Sequence, residues 1–175
     1  MSTFTSSDTK QETYTGHAAI EKFRDLVDGI HIAMLVTSDP YQQVMDGRPM
    51  GTQDIQDDGS IWFFTQRDST KVSEIVTESH VAVSYADPKK NSYVFARGDA
   101  TIVEDRDKAK ELWNPMMEAW FDSPEDPDLV MIRVHVDSAE FWTSAGGRAV
   151  SLMRIGAKAF GAKNVSEGDM GHLEL

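Results

Sequence analysis

Hydrophobic and polar positions along the chain predict a helix followed by about six strands. Over residues 15–29, apolar residues recur at helical spacing with charged residues between them, which predicts an amphipathic helix. Residues 31–38 are predicted to form a buried strand. After a polar connection over residues 39–47, a second strand is predicted at 48–55, and Pro49 confines it to a sheet edge or a strand start.

A hairpin is predicted at the next turn signal. The acidic turn "DDG" at 57–59 is followed by the apolar stretch 60–65, which predicts a third strand paired with the second. Residues 70–78 then have the spacing of a short helix. Three apolar residues of this helix are predicted to face inward: Val72, Ile75 and Val76.

Long strands and short helices alternate in the second half of the chain. Residues 80–86 alternate as a strand, and residues 92–105 form a long strand in which Gly98 predicts a bulge or a bend. A helix is predicted from about Asp107, and Asn114 followed by proline marks the restart of a helix. The last predicted elements are two strands and a helix: residues 129–137, 139–144 and 149–160.

The order of these elements favours a mainly β fold. Neighbouring strands are joined by short turns, so most of the pairing is expected to be antiparallel. Long strands with a glycine bend that close over a single core suit a small barrel better than a flat sheet. At 175 residues, one domain with its own core is expected.

The amino-acid composition limits the cellular locations that are expected for the protein. No run of 18 apolar residues occurs, so no membrane-spanning segment is expected. The N-terminal residues lack the basic and apolar stretches of a secretory signal. The chain has no cysteine, which excludes disulfides and thiol catalysis and, with the missing signal, favours the cytoplasm.

The excess of acidic over basic residues limits the classes of partner that are expected. A net charge of −12 repels nucleic acid and anionic lipid, so neither is expected as a partner. A phosphate-bearing ligand would have to be held by a local group of cations against this overall field. Hydroxyl groups clustered with a lysine are therefore more informative here than in a basic protein.

The stretch "WFFTQRDSTKV" at 62–72 places such a cluster where a strand ends and a helix begins. Ser69 and Thr70 can donate hydrogen bonds, Lys71 supplies a charge, and the helix N-terminus favours phosphate. The alternative is that Ser69 or Thr70 merely caps the helix while Lys71 is a solvated surface residue. Arg48 lies one hairpin away, and its convergence with Lys71 would favour the phosphate site.

Other chemical motifs are absent or unspecific. The five histidines are scattered and have no metal-ligand spacing, so no metal site is expected. The sequence has no G-x-S-x-G, no P-loop and no G-x-G-x-x-G motif. Most of the aromatic residues are expected in the core, although an aromatic beside a phosphate site would also suit a flat, conjugated ligand.

Several fragments together resemble a known family. The chain has "RPM" at 48–50, "IWFFT" at 61–65 and "STKV" at 69–72, and later "GDATIVEDRDKAKELWNP" and "EFW". These are similar to the general stress protein 26 branch of the pyridoxamine 5′-phosphate oxidase-like, FMN-binding split-barrel superfamily. The resemblance implies a six-stranded antiparallel split β-barrel with flanking helices, and a homodimer that holds two flavins at its interface.

The resemblance also implies domain limits and site residues. It covers residues 15–162, which leaves a flexible polar tail at 1–14 and a C-terminal tail at 163–175. In such proteins an arginine and a Ser/Thr–Lys pair hold the flavin phosphate; the matching residues are Arg48, Ser69, Thr70 and Lys71. The remaining matches line the ring system and the ribityl chain: the main chain near Met50, Phe64 with Thr65, Tyr93, and Trp142 from the other subunit.

The sequence departs from the oxidases of this superfamily. They have a basic residue where Thr70 stands, and residues 146–175 do not reproduce their Trp/Arg-rich end, so pyridoxamine-phosphate oxidation is not expected. The resemblance implies a general stress flavoprotein that binds FMN (or FAD) and oxidises NAD(P)H or a similar donor, with no catalytic residue assigned. Two alternatives stay open: a non-catalytic flavin-sequestering protein, and a relative that lacks flavin or binds haem or a deazaflavin.

Overall fold

A computed structural model of the chain describes residues 11–39, 41, 44–143 and 169–175. These residues form three α-helices and a 3₁₀ helix: α1 His17–Val27, α2 Thr70–Thr77, α3 Arg106–Leu112 and the 3₁₀ helix Pro115–Ala119. They also form eight strands: β1 Gln11–Thr15, β2 Ile32–Asp39, β3 Val44–Ile55, β4 Ile61–Gln66, β5 His80–Asp87, β6 Ser92–Val103, β7 Leu129–Thr143 and β8 Asp169–Glu174.

Six of these strands form a closed barrel. The order is β7-β4-β3-β2-β5-β6, and β6 pairs back onto β7. Every pairing within this ring is antiparallel, which confirms the predicted six-stranded antiparallel barrel with helices around it. Two extra strands extend it: β8 pairs with β7, and β1 pairs with β8 in parallel.

Several predicted boundaries were wrong. Residues 11–14 and 169–174 lie in the segments expected as tails, and the structure has them in β1 and β8, two strands that the sequence did not predict. The second strand begins at Val44 instead of residue 48, so the polar connection before it is shorter. The helix predicted at 149–160 lies outside the described residues. None of the helices in the described part of the chain is long and apolar enough to span a bilayer.

The segment predicted as two strands, at 129–137 and 139–144, is one continuous strand. In β7, Val136 pairs with Gly98 and Ser138 pairs with Arg97, so Asp137 is the extra residue of a bulge. A Cβ atom on Gly98 would lie 1.9 Å from the carbonyl oxygen of His135. The predicted irregularity at Gly98 is therefore confirmed, and it explains why a polar Asp-Ser pair does not end the strand.

Pro49 is placed where its missing N–H group costs little. It pairs with Met34 on β2, whereas β3 pairs with β4 only from Thr52 onward. Pro49 therefore lies in the half of β3 that is an edge, as the sequence predicted.

Two hydrophobic clusters stabilise the barrel. The larger one fills its interior, where Phe23 of α1 packs edge-on against Tyr85 at 6.2 Å between ring centroids. A smaller cluster lies between the outer face of β4 and α3 and includes Trp62, Phe64 and Leu112. The two faces of β4 are thus both buried, as its uninterrupted apolar run requires.

Helix α2 packs against β2 and β6 and closes over the barrel near the end of β4. Its predicted inward face was partly wrong, because Val76 is 74% exposed while Glu74 and Ile75 are buried. The inward face of α2 therefore includes the carboxylate of Glu74 and leaves out Val76, which the apolar spacing had assigned to it.

Candidate functional site

The structure brings Arg48 and Lys71 to one place. Arg48 pairs with the fully buried Leu35 across β2 and β3, so its side chain extends from the inner face of the barrel wall. Lys71 lies in the first turn of α2, three residues before Glu74, and Arg48 Nη2 donates to Glu74 Oε2 at 3.0 Å. The convergence that the sequence left open is thus present in the structure.

Lys71 is held among hydroxyl groups in a partly buried position. Its Nζ donates to Thr65 Oγ1 at 3.0 Å, and Thr65 Oγ1 lies 3.3 Å from Ser69 Oγ. Burial lowers the pKa of Lys71 below its ordinary value, the charge of Arg48 lowers it further, and Glu74 opposes both. The influence of Arg48 on this pKa reflects how near the two cations lie.

Ser69 and Thr70 occupy the start of α2 without capping it. Ser69 stands at the N-cap position in extended conformation, yet its side chain makes no capping hydrogen bond. Its hydroxyl faces Thr65 instead, and Thr70 is exposed in the first turn. A purely structural cap therefore does not account for Ser69, and the positive end of the helix dipole at this N-terminus suits an anion.

The residues expected to line a ring system lie close to this cluster along the chain. Met50, two residues beyond Arg48 on β3, is buried on the same face of the strand. Thr65 is buried beside Lys71. Phe64 points the other way, into the smaller cluster, with its ring centroid 6.2 Å from that of Trp113. Only the main chain of Phe64 is therefore available to a ligand at the site.

Tyr93 and Trp142 are not brought to this cluster within one protomer. They pair with each other across β6 and β7 and point outward, with 43% and 41% of their surface exposed. Arg48 extends from the inner face of the barrel wall, whereas Tyr93 and Trp142 lie on its outer face. Any joint role with Arg48 requires a second subunit.

Two polar residues of the cluster were missed by sequence reasoning. Thr37 of β2 and Glu74 of α2 are buried, with 1% and 6% of their surface exposed, and both bind Arg48. The signal for Glu74 was its spacing from Lys71, because residues three apart share one face of a helix. Thr37 continues the inward-facing alternation of Ala33 and Leu35 on β2. A hydroxyl at an inward position needs a hydrogen-bond partner, and this was the signal for Thr37.

The donor set fits a phosphate group. A guanidinium, an ammonium, two hydroxyls and a helix start offer the charge-assisted hydrogen bonds that hold a phosphate. Among the described residues, no three histidine, aspartate or glutamate side chains are grouped to hold a metal ion. The donors and charges of the cluster suit an anionic ligand.

Comparison with known proteins identifies related sequences and structures. A family model described as pyridoxamine 5′-phosphate oxidase like matches residues 18–165 of this chain. Protein bli-3 of Neurospora crassa is 27% identical over 119 residues, which are 62% of this chain and 57% of that protein. This chain thus spans less than two thirds of the length of that relative.

Two further relatives carry the general stress designation. General stress protein 26 of Bacillus subtilis is 24% identical over 137 residues, covering 75% of this chain and 94% of its own length. The crystal structure of the general stress FMN/FAD binding protein from Xanthomonas citri is 26% identical, with a TM-score of 0.62. That match covers 71% of this chain and 88% of the other.

Proposed function

Because the chain belongs to the pyridoxamine 5′-phosphate oxidase-like family, we propose that it is a general stress flavoprotein that binds FMN and acts as an oxidoreductase. The observation that carries this proposal is the meeting of Arg48 and Lys71 beside the hydroxyls of Thr65 and Ser69. In a chain of net charge −12, two cations at one helix start form a local site for a phosphoryl group.

Each residue of the cluster has a definite part in holding the ligand. Arg48 and Lys71 would neutralise the flavin phosphate, and Ser69 would add a hydroxyl donor. The buried Met50 and the main chain at Phe64 would border the attached ring system. A bound flavin supplies hydride-transfer chemistry itself, so the protein needs only to bind, orient and tune it.

A homodimer would complete the site. Apolar side chains lie on the outer face of the barrel on three strands: Ile32 and Met34 on β2, Tyr93 on β6 and Trp142 on β7, which we call the outer strip. Met34 pairs with Ser84 on β5, and Ser84 pairs with Phe95 on β6, so the two parts of the strip lie on the same outer face with one serine between them. All four side chains of the strip are more than 40% exposed. A second copy would cover them and bring Trp142 to the other copy's group of Arg48, Lys71, Thr65 and Ser69, which we call the phosphate cluster.

The phosphate role is tested by Arg48→Ala with Lys71→Ala. A charge-assisted hydrogen bond contributes about 1.5–3 kcal/mol, so the double variant should bind FMN at least about a hundredfold more weakly. The matched control is Lys89→Ala with Lys110→Ala, because it removes the same charge from exposed positions elsewhere. Fluorescence titration of FMN measures both. Equal affinities in the two double variants would contradict the assignment.

The activity is tested by absorption spectroscopy. The purified protein, reconstituted with FMN or FAD, should show flavin maxima, and anaerobic NADH or NADPH should bleach them. A yellow protein that stays oxidised with both donors would support the flavin-sequestering alternative. A Soret band or no visible band would instead support the relative that binds another cofactor or none.

A further inference from the structure

Arg48 and two buried side chains, Thr37 and Glu74, form a closed hydrogen-bond triangle. Arg48 Nη1 donates to the hydroxyl of Thr37, and Nη2 donates to Glu74 Oε2 at 3.0 Å. The Thr37 hydroxyl in turn donates to the same carboxylate oxygen. The three residues come from β2, β3 and α2, so the triangle joins the barrel wall to the helix that carries Lys71.

The triangle leaves part of the guanidinium available. Thr37 both accepts and donates, so its buried hydroxyl is satisfied. Glu74 has 5% of its side chain exposed, but Arg48 keeps 20% exposed. Two of the five guanidinium N–H groups are engaged by Thr37 and Glu74, which fixes the plane of the guanidinium and leaves other donors for a ligand.

We propose that Glu74, together with Thr37, is a positioning residue for Arg48 and is the counterion that allows Arg48 and Lys71 to share one pocket. This inference rests on the proposed phosphate site and adds to it. Glu74 would not touch the phosphate; it would set the direction of one cation and reduce the repulsion between two.

The charges around Lys71 explain why a counterion is needed. Among the described residues, two charged groups act on the pKa of Lys71: Arg48 on β3 lowers it, and Glu74 on the same helix raises it. The neighbouring groups on β4 and at the helix start, Thr65 and Ser69, are uncharged hydroxyls. Without Glu74 two like charges would face each other in a partly desolvated site, where their repulsion is larger than in water.

A merely structural role must be separated from this one. A buried ion pair is weak evidence for stability, since its desolvation cost offsets much of the attraction. Loss of stability on mutation would therefore fit either role. The protonation of Lys71 tells them apart, because a counterion keeps Lys71 charged and a purely structural residue does not.

The first experiment is Glu74→Gln, which keeps the shape and an acceptor for Arg48 but removes the charge. Titration of ¹³Cε-labelled lysine by NMR, with Lys71→Arg to assign the signal, follows Lys71 without any flavin. The pKa of Lys71 should fall in this variant, because the carboxylate that opposes burial and Arg48 is gone. The control Glu78→Gln removes a carboxylate from the end of the same helix and should leave Lys71 unchanged.

The second experiment separates positioning from charge. Thr37→Val removes the hydroxyl that bridges Arg48 and Glu74, and it should weaken FMN binding about 2- to 10-fold, the usual value of one hydrogen bond. Thr37→Ser keeps the hydroxyl and should restore the affinity. Neither variant should alter the pH at which FMN binding is lost, whereas Glu74→Gln should move that loss to lower pH.

Each experiment decides one of the two roles proposed for Glu74 and Thr37. An unchanged Lys71 titration in Glu74→Gln would overturn the counterion role, and full FMN affinity in Thr37→Val would overturn the positioning role. If the wild-type protein binds no FMN, the proposed function fails, but the Lys71 titration still decides whether Glu74 acts as the counterion. Thermal melting of each variant confirms that the fold is retained.

Discussion

At the scale of single residues, the charge of a side chain and its position beside hydroxyl residues predicted the candidate site better than residue type alone. Arg48 and Lys71 were selected because basic side chains beside hydroxyls are unusual in so acidic a chain, and the structure places them together. Glu74 was not selected, because a glutamate on a short helix is ordinarily solvated. Its burial depends on contacts with β2 and β3, which no local pattern contains.

The lowered pKa of Lys71 predicts a pH dependence of flavin binding. Phosphate favours the charged amine, so its pKa in the complex lies above that in the free protein. Binding should therefore be complete below the free-protein pKa and should weaken as the pH rises through it. Titrations across alkaline pH should show this loss in the wild type and a much smaller one in Lys71→Arg. Identical profiles would show that another group titrates.

The hydrogen bond between the buried Tyr85 and the partly buried Thr52 gives a second prediction at this scale. Tyr85 is fully buried, and its hydroxyl lies 2.9 Å from Thr52 Oγ1. Thr52→Val leaves the phenol without that partner and should destabilise the fold by about 1–3 kcal/mol. Adding Tyr85→Phe removes the unsatisfied group, so the double variant should recover part of the loss in urea unfolding. Additive losses would show that the pair is not coupled.

At the scale of elements, the alternation of apolar and polar residues predicted most strands. It failed where pairing with another strand overrides the local sequence. Asp137 and Ser138 predict the end of a strand. Strand β7 nevertheless continues through them, because Asp137 is the extra residue of a bulge opposite Gly98. The extra strands β1 and β8 lie in segments that are polar or rich in glycine. Their conformation comes from pairing with each other and with β7, a long-range interaction that periodicity does not reveal.

The bulge makes a prediction about β6. Gly98→Ala would place a methyl group 1.9 Å from the carbonyl oxygen of His135, so the paired backbone must move apart. We expect a destabilisation of about 3 kcal/mol or more, above that of an ordinary overpacked site. Gly47→Ala on β3 is the control, because its methyl group would meet side chains at 3.7 Å. It should change stability by less than about 0.5 kcal/mol.

At the scale of the whole molecule, the barrel wall separates the cluster around Arg48 and Lys71 from Tyr93 and Trp142. The phosphate cluster lies where α2 meets the barrel, and Trp142 pairs with Tyr93 on the outer face far along β7. The fold class could be predicted from the strand pattern and the resemblance to a family. Which surface of one copy meets which surface of another depends on shape over several strands, so only a structure shows the outer strip.

A subunit-exchange experiment tests whether two copies build one site. Arg48→Ala with Lys71→Ala removes the phosphate cluster, and Tyr93→Ala with Trp142→Ala removes the outer pair; each variant alone should bind FMN poorly. When equal amounts exchange subunits, about half of the dimers are mixed, and each mixed dimer keeps one intact site of two. About one quarter of the wild-type FMN sites should return in equilibrium dialysis. No recovery, with mixed dimers verified by native mass spectrometry, would contradict a site that is shared between two subunits.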